Sequence, residues 1–224
     1  MYNGYYSTYF IYVVPALLLL FWAQFKVKST YAKYSKIDSR TGKSGAEVAR
    51  DILNRHGLYD VTIGSVQGTL TDHYDPSTRR LNLSPQVYQG SSVASLGIAA
   101  HEVGHAIQHS EGYKPLGLRS LLIPAANLGS NFGIFLVIMG LVFSRVLVQL
   151  GIALFAIAVL FTIVTLPVEL NASKRAQEEL AYVMDRDALA GSRQVLSAAA
   201  MTYVASTVMA IAQLLRLLAI SRDR

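Results

Sequence analysis

The chain has 224 residues, of which 52% are hydrophobic and only 15% charged. A soluble domain carries roughly 25% charged residues. This shortfall, with a mean hydropathy of +0.35, excludes a disordered charged tail and points to the membrane. The lack of cysteine excludes a disulfide scaffold, a cysteine nucleophile and a thiolate metal site. The net charge of +6 reads as membrane topology rather than a nucleic-acid surface.

A membrane helix needs about 20 mostly apolar residues. The first such run covers residues 8–25 and ends directly in Lys26, Val27 and Lys28. No basic residue precedes it and no small-residue cleavage site follows, so it reads as an uncleaved anchor rather than a signal peptide. Residues 26–43 read as a basic, turn-rich linker. Ser44-Gly45-Ala46-Glu47 is a capping box that opens a helix, with Val48, Ile52 and Leu53 on its apolar stripe and Gly57 at its exit. Val61-Thr62-Ile63 predicts a short strand. Residues 65–74 and 79–83, split by the turn Asp75-Pro76-Ser77-Thr78, predict a β-hairpin. Ser84-Pro85 restarts helix, and a further helix begins near Ser91 or Ser92.

Residues 120–144 and 146–168 hold no charge, and Arg145 alone stands between them. Neither run has a polar face, which predicts a membrane hairpin with a tight turn at Ser144–Arg145. Residues 194–215 are also uncharged but rich in Ala, Ser and Thr. That run is open to three arrangements: spanning, packing on other helices, or lying at the interface. Lys26, Lys28, Lys33, Lys36, Arg40 and Lys43 follow the first span, and Lys174 and Arg175 follow the third. The distribution puts residues 26–119 and 169–193 on the cytoplasmic side. The expected organisation is an anchor (1–25), a polar α+β segment (26–119), a membrane hairpin (120–168), and a closing helical part (169–224).

The chemistry lies in His101-Glu102-Val103-Gly104-His105. Histidines at i and i+4 project from one helical face, so both imidazoles reach one zinc ion. Glu102 lies between them, where its carboxylate takes a proton from the activated water. Leu96, Ile98, Ala99, Ala100 and Ile107 make the helix apolar, and buried imidazoles need partners that a metal supplies. A third ligand is required. Three imidazoles on one straight helix cannot share an ion, so His109 is a supporting or surface residue. Glu111 is an available but poorly placed carboxylate. Glu169 is the better candidate, at the start of the polar stretch after the third span. There Pro167 reads as the start of a new helical segment.

Asp72-His73-Tyr74-Asp75-Pro76, Ala100-His101-Glu102-Val103-Gly104-His105-Ala106 and Leu166-Pro167-Val168-Glu169-Leu170-Asn171-Ala172-Ser173 resemble the YugP-type neutral zinc metallopeptidases, which are bacterial membrane proteins. The resemblance covers nearly the whole chain. It is similar at greater distance to HtpX-type and CAAX prenyl proteases. In those relatives an aspartate four residues after the glutamate ligand orients a histidine. Here that position is Ser173, and Asn171 and Ser173 are the candidates to replace it. The resemblance implies a mainly α integral membrane protein of three or four transmembrane helices with a small α+β gluzincin-like zinc peptidase domain on the cytoplasmic side. It implies zinc as cofactor, held by His101, His105 and Glu169, and a location in the bacterial cytoplasmic membrane.

In that reading Arg175 and Tyr182 are candidate donors to the developing oxyanion. The strand at 79–83 offers an edge for an extended peptide, and Gly104 admits its close approach. Substrates are peptides or membrane proteins; no nucleic acid is expected. Two other classes compete. A zinc-containing scaffold or chaperone-like protein would close its metal with four ligands, and only three good ones are visible. A transporter would place ionisable residues inside its spans, and the three firm runs hold none.

Overall fold

The computed structural model describes residues 9–222. Seven α-helices and three strands follow in the order α1 (Val14–Tyr34), α2 (Gly45–Arg55), β1 (Thr62–Ser65), β2 (His73–Asp75), β3 (Arg80–Leu83), α3 (Pro85–Gln89), α4 (Val93–Ser110), α5 (Lys114–Phe143), α6 (Arg145–Leu180) and α7 (Arg186–Arg222). A π-helical turn at Tyr9–Val13 leads into α1. The chain divides into two compact units, with the divisions falling inside or beside the long helices.

The first unit comprises residues 9–24, 117–167 and 201–222 of those described. Among the described residues four helices are long and apolar enough to cross a membrane, including α7, the one whose run at 194–215 the sequence leaves open. The hairpin turn falls at Ser144, whose N–H bonds the Gly140 carbonyl. Glycines line the α5–α6 contact. A Cβ at Gly129 would run into the Leu154 carbonyl oxygen, and one at Gly151 would meet the Gly133 carbonyl oxygen at 2.6 Å. With no water to expel between helices in lipid, close backbone approach and dispersion hold such a pair. Val137, Val148, Phe155, Val159 and Leu217 form the buried centre of this unit.

Pro167 corrects an expectation, because it sits inside α6 rather than at the start of a helix. Ending the helix within an apolar run would leave several backbone groups unpaired, which costs more than the one bond proline removes. The hydroxyls of Thr162 and Thr165 bond the carbonyls of Val159 and Phe161 just before it.

The second unit comprises residues 25–116 and 168–200. Its amphipathic α2 carries the predicted capping box, with Ser44 and Glu47 each bonding the other's backbone N–H. Ile52 and Leu53 of α2 enter a core with Leu81, Leu83, Leu96, Ile107 and Leu180. The linker expected at 26–43 is helical as far as Tyr34, because nothing from Lys26 onward breaks the helix. Turns begin only beyond it, with Arg40 and Gly42 at positive φ.

The sheet order is β1-β3-β2. β2 and β3 form the expected antiparallel hairpin, while β1 pairs in parallel with β3, Ile63 beside Leu81. The strand expected over 65–74 is confined to its two ends. Gly68 (φ +116°) and Leu70 (φ +57°) take left-handed conformations between them. This order also overturns the expectation that 79–83 is a free edge: β3 is the central strand, paired on both sides.

Candidate active site

Helix α4 starts at an N-cap, Ser92, whose hydroxyl accepts from the Ser95 N–H. It buries Leu96, Ala99, Ala100, Val103, Ala106 and Ile107. This apolar seat fixes the rotation of the helix and turns His101 and His105 together to the opposite side. Their rings meet edge to face with centroids 4.9 Å apart. Helix α6 brings Glu169 to the same place.

His101 Nε2 lies 3.3 Å and His105 Nε2 3.7 Å from Glu169 Oε2. The three ligand atoms all lie within 4.8 Å of one another. Donors bound tetrahedrally at about 2.0–2.1 Å stand about 3.4 Å apart, so the set fits zinc with little rearrangement. Glu169 is 2% exposed, and a buried carboxylate of this kind requires cationic or hydrogen-bonded company. The other ring nitrogens face away and are occupied. His101 Nδ1 pairs with Ser173 Oγ at 3.1 Å, and His105 Nδ1 with Gln108 Oε1 at 3.0 Å. Both Nε2 atoms are thereby left facing the carboxylate.

The close approach that makes this possible is between helices. A Cβ on Gly104 would meet the Ala172 carbonyl oxygen at 2.7 Å and its Cα at 3.1 Å. The residue facing Gly104 is therefore in α6 and not in a strand, contrary to expectation.

Glu102 is half-buried beside the two histidines. Its Oε2 accepts from the Tyr74 backbone N–H at 3.1 Å. Desolvation pushes its carboxyl above the usual range, against the pull of His101 and His105. Tyr74 belongs to β2 and its hydroxyl pairs with His109 Nδ1 at 2.9 Å. His109 thus supports the strand that orients Glu102. Asp72, just before β2, is also pushed up by burial while accepting from the Ser84 N–H and hydroxyl.

The remaining sequence candidates take other places. Glu111 accepts from both terminal nitrogens of Arg175, at 2.9 and 2.6 Å, which leaves it outside the ligand cluster. Arg175 Nε donates to Asn171 Oδ1 at 2.8 Å, so this guanidinium is engaged away from the histidines. Tyr182 is 78% exposed, with Arg55 over its ring, and takes no part in the cluster. Sequence reasoning missed Gln108 and Tyr74. Gln108 is fully buried one turn after His105, on the same helical face as the two histidines. That position was its signal. Nothing in the pattern of β2 pointed to a backbone N–H for Glu102.

Comparison with known proteins agrees with this chemistry. The family described as "Putative neutral zinc metallopeptidase" matches residues 9–222. The chain is 47% identical over 207 residues to the "Putative membrane protease YugP" of Bacillus subtilis (strain 168), covering 91% of this chain and 92% of that protein. No solved structure matches it. The match runs over almost the whole chain: this protein belongs to the neutral zinc metallopeptidase family.

Proposed function

We propose that the chain is a membrane-bound zinc metalloendopeptidase in which His101, His105 and Glu169 hold the ion and Glu102 is the general base. The convergence of three ligand atoms within 4.8 Å beside the Glu102 carboxylate carries this reading. When bound, zinc polarises the scissile carbonyl and lowers the pKa of water from about 15.7 to about 7. Glu102 does the proton work. Tyr74 N–H holds Oε2, which leaves Oε1 to take the proton of the attacking water and pass it to the leaving amine. Half-burial limits competition from bulk water and matches the carboxyl to this exchange. With β3 paired on both sides, an extended peptide has β2 as the sheet edge next to Glu102.

Four domain-level parts accompany this reading: anchor 1–25, catalytic segment 26–119, membrane hairpin 120–168, and closing helices 169–224. The lysines and arginines after the first and third spans favour a catalytic segment facing the cytoplasm of a bacterial cell. Peptide segments or tails of membrane proteins are the substrates that such a location offers.

The test uses full-length protein in detergent with labelled casein as probe. Glu102→Gln should keep about one zinc per chain and lose about 10³-fold in hydrolysis, while Glu169→Gln should lose the metal. Full zinc in Glu169→Gln would break the ligand set. Wild-type hydrolysis by Glu102→Gln would remove the base.

A further inference from the structure

Helix α4 and the Glu169 end of α6 are joined by a chain of polar contacts that the peptidase reading leaves without a role. Glu111 grips both terminal nitrogens of Arg175, and Arg175 Nε reaches Asn171 Oδ1. The same Oδ1 receives Gln108 Nε2 at 2.9 Å, and Nε2 also reaches the Val168 carbonyl at 2.8 Å. Gln108 Oε1 then meets His105 Nδ1.

The direction of every bond in this chain is decided by two groups of fixed polarity, the Arg175 guanidinium and the Val168 carbonyl. A guanidinium has donors only, so Asn171 must present its oxygen to Arg175. That oxygen can receive Gln108 only as a donor, so the Gln108 nitrogen faces Asn171 and Val168. Turning the Gln108 amide over would set its oxygen against two other oxygens in a buried place, with nothing to offset the repulsion. Gln108 therefore offers an oxygen to His105, and His105 Nδ1 carries the proton. Its Nε2 is left with a lone pair directed at Glu169.

We propose that Gln108, oriented by the Val168 carbonyl and, through Asn171, by Arg175, is a positioning residue that sets the metal-binding tautomer of His105. This rests on the reading of His105 as a zinc ligand. His101 has no comparable relay, since its partner is the single hydroxyl of Ser173, which can donate or accept. The two histidines are thus held in different ways, one by a fixed sequence of donors and acceptors and one by an adaptable hydroxyl.

Zinc dissociation constants, measured on full-length protein by competition with a chromophoric chelator, test the relay without any turnover. Gln108→Met should weaken zinc about 10–100-fold, the range for lost partners of a ligating histidine. Arg175→Met should weaken it less, about threefold, because the Val168 carbonyl still orients the Gln108 amide. The double variant should be no weaker than Gln108→Met alone, because Arg175 acts through Gln108. Asn171→Asp, which keeps an acceptor for both neighbours, should stay within about threefold of wild type on the same scale. Should Arg175→Met fail to fold, Arg175→Lys keeps the charge beside Glu111 but cannot also reach Asn171, and the same loss is expected. Unchanged or tighter zinc in a folded Gln108→Met, or additive losses in the double variant, would overturn the relay. A wild-type protein that takes up no zinc would instead defeat the metal reading itself.

Discussion

The α5–α6 hairpin and the α4–α6 contact use the same device for different ends. In the first, Gly151 lies against the Gly133 carbonyl and Gly129 against the Leu154 carbonyl, and the buried side chains of the unit are Val137, Val148, Phe155, Val159 and Leu217. In the second, Gly104 lies against Ala172, but the approach brings Glu169, Asn171 and Ser173 within reach of His101, His105 and Gln108. Close backbone approach alone gives adhesion. The same approach flanked by polar side chains gives a site.

Paired substitutions would sharpen or break that contrast. Gly104→Ala gains about 1 kcal/mol of helix propensity, but its Cβ collides with backbone atoms, and overpacking costs about 1–3 kcal/mol. The clash wins, and α6 must shift one turn from Glu169. We expect zinc affinity to fall at least 10-fold and hydrolysis of labelled casein to fall with it; retained affinity would show that the contact does not set the site. Gly151→Ala meets the Gly133 carbonyl oxygen at 2.6 Å and Val137 N at 2.7 Å, and should cost a similar 1–3 kcal/mol in thermal stability. Its zinc affinity should not change, and an equal loss of zinc would erase the distinction between the two contacts.

The smallest effect concerns the turn that carries β2. The hydroxyls of Ser77 and Thr78 and the Ser77 N–H hold the Asp75 carboxyl down to about 2. An unfolded aspartate titrates near 3.9. A lowered folded value means that the contribution is present above about pH 4 and is lost as the pH falls through about 2. Thermal melting of wild type beside Asp75→Asn should therefore differ at pH 5 and converge towards pH 2. A difference that persists at pH 2 would assign the effect to something other than this charge.

Much of the local structure is legible in the sequence because its causes are local. The Ser44 capping box, the Asp75-Pro76-Ser77-Thr78 turn, the α4 start at Ser92 and the break at Ser144 each rest on a few neighbouring side chains. The spacing of His101 and His105 is local too, and it makes their shared face readable. What the sequence hides depends on partners distant along the chain. The parallel pairing of β1 with β3 leaves no pattern in four residues, so the central position of β3 cannot be read. Pro167 looks like a helix start until the apolar run before it is weighed as a continuous helix. The facing partner of Gly104 lies 68 residues ahead at Ala172, and Gln108 acquires its meaning only when Val168 and Asn171 arrive beside it.

The Gly104 contact also bears on how short signatures are written. In His101-Glu102-Val103-Gly104-His105, the proposed zinc chemistry specifies three letters and leaves two blank. Val103 is fully buried and Gly104 has no room for a methyl group, so the blanks are filled by packing. In this protein the five-letter word has no free letter: two sets of constraints, one from reaction and one from shape, are printed over each other in a single turn and a half of helix.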